Sequence, residues 1–182
     1  MRVITGTGRG RKLVTLEGVD VRPTAERVKE ALFSILQFEL EGRQVLDLFA
    51  GSGQLGIEAL SRGADHCTFV DASKASLAVV QKNLDSTGFA GQSTVLCADA
   101  VSFLGRTYAA YDIALLDPPY GKGLLQKALE KLPAVMRESG VIVCEAPKEE
   151  PLPEEAGPFV LYRRYNYGKI SLAVYRRPEP ED

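Results

Sequence analysis

At 182 residues, 45% hydrophobic and 25% charged, the chain has the size and composition of one globular domain with a full core. Charged residues interrupt every apolar run before membrane-spanning length, and the first residues lack the apolar core of a signal peptide, so a cytoplasmic protein with no membrane partner is expected. A net charge of −2 argues against tight binding to naked nucleic acid on charge alone, but the basic groups are clustered.

Arg2, Arg9, Arg11 and Lys12 precede the first acid, Glu17, and the segment 2–16 reads as two short strands around Gly6-Thr7-Gly8-Arg9-Gly10. This basic hairpin could grip phosphates or simply be a solvated tip. Arg22-Pro23-Thr24 opens a helix, with Thr24 placed to cap it, Arg27 closing its first turn and Gly42 ending it. Val28, Ala31, Leu32, Ile35, Leu36 and Leu40 fall on one helical face. Val45–Phe49 reads as a strand, and Ala50-Gly51-Ser52-Gly53-Gln54-Leu55-Gly56 turns from it into a helix that runs through Leu60. Cys67–Asp71 is a second strand, residues 73–86 a helix, Ser93–Cys97 a third strand and Tyr111–Leu116 a fourth. A helix over Leu124–Leu132 and a strand over Val141–Glu145 follow. Two alternating runs, Phe159–Tyr165 and Lys169–Tyr175, flank Asn166-Tyr167-Gly168 as a closing hairpin, beside a second basic cluster of Arg163, Arg164 and Lys169.

Strands that alternate with helices imply a mostly parallel, doubly wound α/β sheet, here of seven strands with an antiparallel C-terminal hairpin. No repeat or long linker divides the chain, so one domain over 1–182 is expected, with residues 1–22 as a basic hairpin extension and 23–182 as the core. The three cysteines lie in or beside apolar runs and are expected to be buried and reduced, and with one histidine, His66, no metal cluster is expected.

Gly51-x-Gly53-x-x-Gly56 with Asp71 downstream fits the dinucleotide fingerprint, so a nicotinamide-dependent oxidoreductase is one reading. Asp47 points the other way. A carboxylate four residues before Gly51 repels a pyrophosphate and favours a cationic ligand. S-adenosyl-L-methionine carries a sulfonium and an ammonium in place of phosphates, with Asp71 available to its ribose hydroxyls and Asp99 to its adenine edge. Asp71 and Asp99 also precede helices and could serve only as caps. At the end of the fourth strand, Asp117-Pro118-Pro119-Tyr120 forms a stiff turn with a carboxylate at one end and an aromatic ring at the other. That shape suits capture of a flat amine, with acceptors before an NH2 group and a ring stacked on its base.

Asp47-Leu-Phe-Ala-Gly51-Ser-Gly53, Asp71, Asp99 and Asp117-Pro-Pro-Tyr120 together resemble the class I S-adenosylmethionine-dependent methyltransferases. Arg9-Gly-Arg11-Lys-Leu13, Arg22-Pro-Thr24-x-x-Arg27-Val-Lys-Glu-Ala-Leu-Phe33 and the string from Asp47 to Gly63 narrow the resemblance. They are similar to the bacterial 16S ribosomal RNA guanine-N2 methyltransferases of the RsmD type. Asp71 stands where that family often has Glu, and Tyr120 where Phe is common. The resemblance implies a Rossmann-like fold, S-adenosylmethionine as methyl donor, and 16S rRNA, in the small subunit or its assembly intermediate, as partner of a monomeric enzyme. It also implies Asp117, Pro118, Pro119 and Tyr120 as the target-base site, and Thr24, Asp47, Phe49, Ala50, Gly51, Ser52, Gly53, Asp71, Asp99 and Ala100 as the cofactor site. Arg9, Arg11, Lys12, Arg22 and Arg27 would meet RNA. The same tetrad serves adenine N6 and protein glutamine methylation, and a non-catalytic RNA-binding role is a further alternative.

Overall fold

The computed structural model describes residues 1–16 and 23–180. Five strands run parallel: β1 (Gln44–Leu48), β2 (His66–Asp71), β3 (Ser93–Cys97), β4 (Tyr111–Leu116) and β5 (Met136–Pro147). The two-residue β6 (Glu155–Ala156), β7 (Phe159–Tyr167) and β8 (Ile170–Arg176) complete the sheet in antiparallel pairing, in the order β3-β2-β1-β4-β5-β8-β7-β6. The seven expected strands are present. β6 is an eighth, too short to carry a sequence period.

The helices are α1 (Pro23–Ile35), α2 (Gln54–Ser61), α3 (Lys74–Thr87), α4 (Ala100–Leu104) and α5 (Leu124–Lys131). Alternate strand residues feed two cores. On one face Val45, Leu115 and Val143 pack with α1, α2 and α3; on the other Leu46, Leu116 and Cys144 pack with α4 and α5. β4 is buried along its whole length, which is why its stretch from Ile113 to Leu116 reads as an apolar run. From β1 the chain winds outward to β2 and β3, then crosses back to β4 and β5, so the strand order reverses at the carboxyl ends of β1 and β4. A ligand crevice forms at such a reversal.

Four expectations change. α1 ends at Ile35 rather than Gly42; Leu36 and Leu40 remain buried beyond it, so their spacing imitates a longer helix although the chain has tightened into turns. Because Pro23 is the first helical residue, a position that suits its fixed φ and missing N–H, Thr24 lies inside the first turn and is not the cap. Cys67 and Cys144 are buried as free thiols, but Cys97 is exposed because it ends β3, an edge strand. β5 also begins five residues before Val141, through the charged stretch Arg137-Glu138, where Arg137 reaches back to Asp112 at 3.2 Å.

The N-terminal segment folds back as a hairpin but without the two strands expected of it: one isolated bridge joins Arg2 to Lys12, and the N–H of Val3 donates to the Arg11 carbonyl at 3.0 Å. A buried carboxylate holds it down. Glu58 on α2 accepts from the N–H groups of Ile4 (2.7 Å) and Thr5 (3.1 Å) and pairs with Lys29 of α1 (3.4 Å) and Arg62 (3.0 Å). Lys29 also donates to the Arg2 carbonyl, and burial pulls its ammonium below the usual lysine range. The hairpin tip lies against the C-terminal end of α2. Thr7 and Gly8 donate to Ser61, and a Cβ at Gly6 would stand 1.8 Å from the Ser61 carbonyl oxygen.

Candidate active site

The residue that turns β1 into the glycine loop carries backbone strain. Phe49 has φ of +67°, the one positive φ among the described non-glycine residues. Such a conformation costs on the order of 1–3 kcal/mol and persists where the surroundings over-determine it. The three glycines behind Phe49 differ in role. Gly51 has φ of +58°, and a Cβ there would meet nothing within 4 Å, so its backbone faces open space. Gly53 has φ of +80° at the start of α2, with Val80 and Phe69 close by. At Gly56 a Cβ would lie 2.4 Å from the Phe69 ring and 2.7 Å from the Cys67 sulfur, so the third glycine lets α2 sit against β2.

A cavity of about 600 Å³ opens over this loop. It is lined by Phe49, Gly51, Asp71, Asp99 and Ala100 at one end and by Asp117, Pro118, Pro119 and Tyr120 at the other. Residues distant in sequence thus share one trough at the carboxyl ends of β1, β2, β3 and β4. Leu16, Ser76, Ala98 and Leu124 also line it and went unnoticed in the sequence, because small and apolar residues give no chemical signal. Asp71 is held by two backbone donors, Gly51 to Oδ2 at 2.9 Å and Ser73 to Oδ1 at 2.9 Å. Asp99 caps α4, accepting from the Ser102 N–H at 3.0 Å, and this bond keeps its carboxyl below the ordinary range. Of the two capping possibilities only that of Asp99 is realised, since Ser73 caps α3, and both carboxylates line the cavity.

Other expected site residues lie elsewhere. Ala50, Ser52 and Gly53 shape the loop without lining the cavity. Asp47 is buried below it. Its Oδ2 accepts from the Gly56 N–H at 3.0 Å, and burial, with Asp71 adding to it, pushes its carboxyl up to about 8. Asp47 thus ties the glycine loop to β1, which its position in the sequence did not disclose. Arg22 lies outside the described residues, as does the side chain of Thr24. Arg9, Arg11, Lys12 and Arg27 are exposed. The hairpin tip between them is separated from the glycine loop by the 8 residues of α2, about 12 Å of helix.

The elevated Asp47 carboxyl makes a stability prediction. In the unfolded chain it ionises near pH 4, and in the folded chain near 8, so between these values the native state binds the additional proton. This contribution is present below pH 4 and is lost as the pH rises toward 8. Asp47→Asn keeps an acceptor for Gly56 without the charge. In urea melts of the free protein it should match wild type at pH 4 and exceed it by ~2–4 kcal/mol at pH 8. Equal wild-type and variant stability at both pH values would refute the assignment.

At the other end of the trough sits Glu145, whose place at the end of an apolar strand run gives it no distinct signal in the sequence. Glu145 stands beside Asp117: Leu116 pairs with Cys144 in the parallel register of β4 and β5, so the two carboxylates follow at the same level. They are within hydrogen-bond reach of one another, and the Tyr120 hydroxyl donates to Glu145 Oε1 at 3.2 Å. Burial first, and then the neighbouring Glu145 charge, raises Asp117 well above the ordinary carboxyl range; burial also raises Glu145. A carboxylate ends this apolar run as Asp71 ends another, but its partner is 28 positions away.

The chain as a whole is similar to known proteins. Residues 1–176 match the family described as conserved hypothetical protein 95. The ribosomal RNA small subunit methyltransferase D of Escherichia coli K12 is 36% identical over 179 residues, covering 97% of this chain and 90% of its own. The chain belongs to the RsmD family of methyltransferases. A solved family member, yhhF from Escherichia coli, superposes with a TM-score of 0.88 at 36% identity, covering 99% of both chains. A Thermus thermophilus 16S rRNA N2 methyltransferase of the RsmC type, solved with AdoMet and guanosine, superposes with a TM-score of 0.73 at 27% identity. It is matched over 90% of this chain and 45% of its own. The fold of this RsmD-family chain is therefore the class I methyltransferase fold expected from the sequence.

Proposed function

We propose that this protein transfers a methyl group from S-adenosylmethionine to the exocyclic N2 amine of a guanine in 16S ribosomal RNA. One observation carries the reading. The strained glycine loop with Asp71 and Asp99, and the Asp117-Pro118-Pro119-Tyr120 turn, line a single cavity. The small-subunit rRNA named in its RsmD relative and the guanosine bound to the RsmC structure support the substrate.

The residues present suit the cofactor. Gly51 leaves room where a side chain would intrude, and Asp71 and Asp99 offer acceptors spaced along the trough for hydroxyl and amino groups. Asp47, Ala50, Ser52 and Gly53 hold that loop in shape, and Thr24 belongs to the first turn of α1. When bound, the cofactor supplies an electrophilic methyl on a sulfonium.

The chain's own work lies in presenting the amine. A guanine N2 is a poor nucleophile because its lone pair is delocalised into the ring. Asp117 and the Pro118 carbonyl accept from its N–H groups and aim the lone pair along the trough; such orientation can account for up to ~7–11 kcal/mol of a barrier. Tyr120, 44% exposed at the cavity mouth, stacks on the unpaired base, worth roughly 1–3 kcal/mol. Arg9, Arg11, Lys12 and Arg27 meet RNA phosphates away from the target, as a folded ribosomal particle with a broad surface would allow. The enzyme acts as a cytoplasmic monomer with residues 1–16 docked on its core.

The test is transfer of labelled methyl groups to small ribosomal subunits lacking the modification, to naked 16S RNA and to duplex DNA, followed by digestion to nucleosides. Label in N2-methylguanosine is expected. Label confined to DNA or to protein would overturn the substrate reading.

A further inference from the structure

The Asp117–Glu145 pair poses a question that the amine-capture reading does not answer. The amine must lose a proton during transfer, yet Asp117 lies in a site where burial disfavours its ionised form. β4 and β5 set a second carboxylate beside it at the same level, and the Tyr120 hydroxyl donates to Oε1 of this carboxylate at 3.2 Å. The other titratable groups around the pair are Asp47, one pleat deeper on the same sheet face and itself raised by burial, and Glu150, which acts on Tyr120. Both are acidic, so one proton shared between Asp117 and Glu145 relieves the crowding.

We propose that Glu145 is a positioning residue that acts through Asp117, taking up by relay the proton released from the substrate amine. The inference rests on the methyltransferase reading above. As the bond from N2 to the methyl carbon forms, the methyl–sulfur bond breaks and its electron pair stays on sulfur. N2 gives one N–H proton to the free oxygen of Asp117. Asp117 passes the proton that it held on its other oxygen to Glu145. Asp117 is neutral before and after, Glu145 goes from carboxylate to acid, and the product amine is neutral. A lone Asp117 carboxylate would have to be both charged and desolvated while it accepted the amine. The pair avoids this by keeping the charge one residue further from the base. Tyr120 gains a second role, because the ring that stacks on the base also orients Glu145.

Glu145→Gln separates proton uptake from shape, since an amide can still accept from Tyr120 and contact Asp117 but cannot take a proton. On whichever acceptor the wild-type protein methylates, Glu145→Gln should lower kcat by about a hundredfold, the scale of general acid–base assistance, with KM for S-adenosylmethionine little changed. Glu145→Asp, which restores the carboxylate, should recover part of that loss. A Gln variant with wild-type kcat would overturn the proposal, because a merely structural Glu145 is well replaced by Gln. A readout free of activity accompanies this: 13C NMR titration of carboxyl carbons in Asp- and Glu-labelled protein. Asp117 and Glu145 should titrate together in wild type, and Asp117 should titrate alone and at lower pH in Glu145→Gln. Identical Asp117 titrations in the two proteins would overturn the pairing. Coupled titration without guanine methylation would support the pair and discard the guanine substrate.

Discussion

Asp117→Ala should reduce methyl transfer by at least ~10³-fold while leaving binding of S-adenosylhomocysteine close to wild type. Asp117 begins the turn after β4 and lines the opposite end of the trough from Asp71 and Asp99, so its loss removes the acceptor for the amine and spares the groups facing the cofactor. Pro118 is buried and Tyr120 lies at the mouth, so both stay in place when a half-buried neighbour is truncated. Asp117→Asn sharpens the comparison. It keeps a carbonyl acceptor but breaks the relay to Glu145, and its activity should lie between Ala and wild type. The measurements are single-turnover transfer with saturating cofactor and calorimetric titration of S-adenosylhomocysteine. Turnover above a tenth of wild type in Asp117→Ala would remove Asp117 from the chemistry. Loss of cofactor affinity would recast it as a cofactor ligand.

The largest effect on stability is expected at Glu58. Its side chain is fully buried, pairs with Lys29 and Arg62, and accepts from the Ile4 and Thr5 N–H groups. Glu58→Ala leaves the Lys29 ammonium buried beside Arg62 without a counter-charge and orphans two backbone donors. Breaking a buried pair from one side costs ~3–5 kcal/mol, which in a chain of this length lowers Tm by roughly 10–15 °C. The loss should be concentrated where the carboxylate acts, so amide exchange across residues 1–13 should accelerate more than in β1 or β4. Removing both charges, as in Lys29→Met with Glu58→Gln, should recover much of the loss, since the cost comes from an uncompensated ion. A Glu58→Ala cost under ~1 kcal/mol would mean that the hairpin is held by Val3 and Leu13 packing alone.

These two residues sit on opposite sides of what the chain discloses when read linearly. Asp117 announces itself because two prolines end an apolar run abruptly, and that local chemistry survives in any context. Glu58 lies in the middle of a helix, and nothing in Glu-Ala-Leu-Ser separates it from a solvated helical glutamate. The strands and most helices were legible for the first reason. Burial on both faces makes β4 apolar from Ile113 to Leu116, Gly53 and Gly56 mark the entry to α2, and Gly168 marks the two-residue turn of the β7–β8 hairpin. Where the reading overshot, as at the end of α1, buried residues in irregular backbone kept a helical spacing.

The sequence by itself determined the fold class, the glycine loop and the Pro-Pro turn after β4, because periodicity, glycine and proline act over a few neighbouring residues. Only the tertiary structure decided how distant charges meet. It buried Asp47 under the loop instead of in the cavity, docked the basic hairpin tip at the far end of α2, paired Lys29 with Glu58, and set Glu145 beside Asp117. The reason is physical: the environment of a charge depends on which strands and helices become neighbours. That choice is made by burial of the whole sheet, and no stretch of the chain carries it alone.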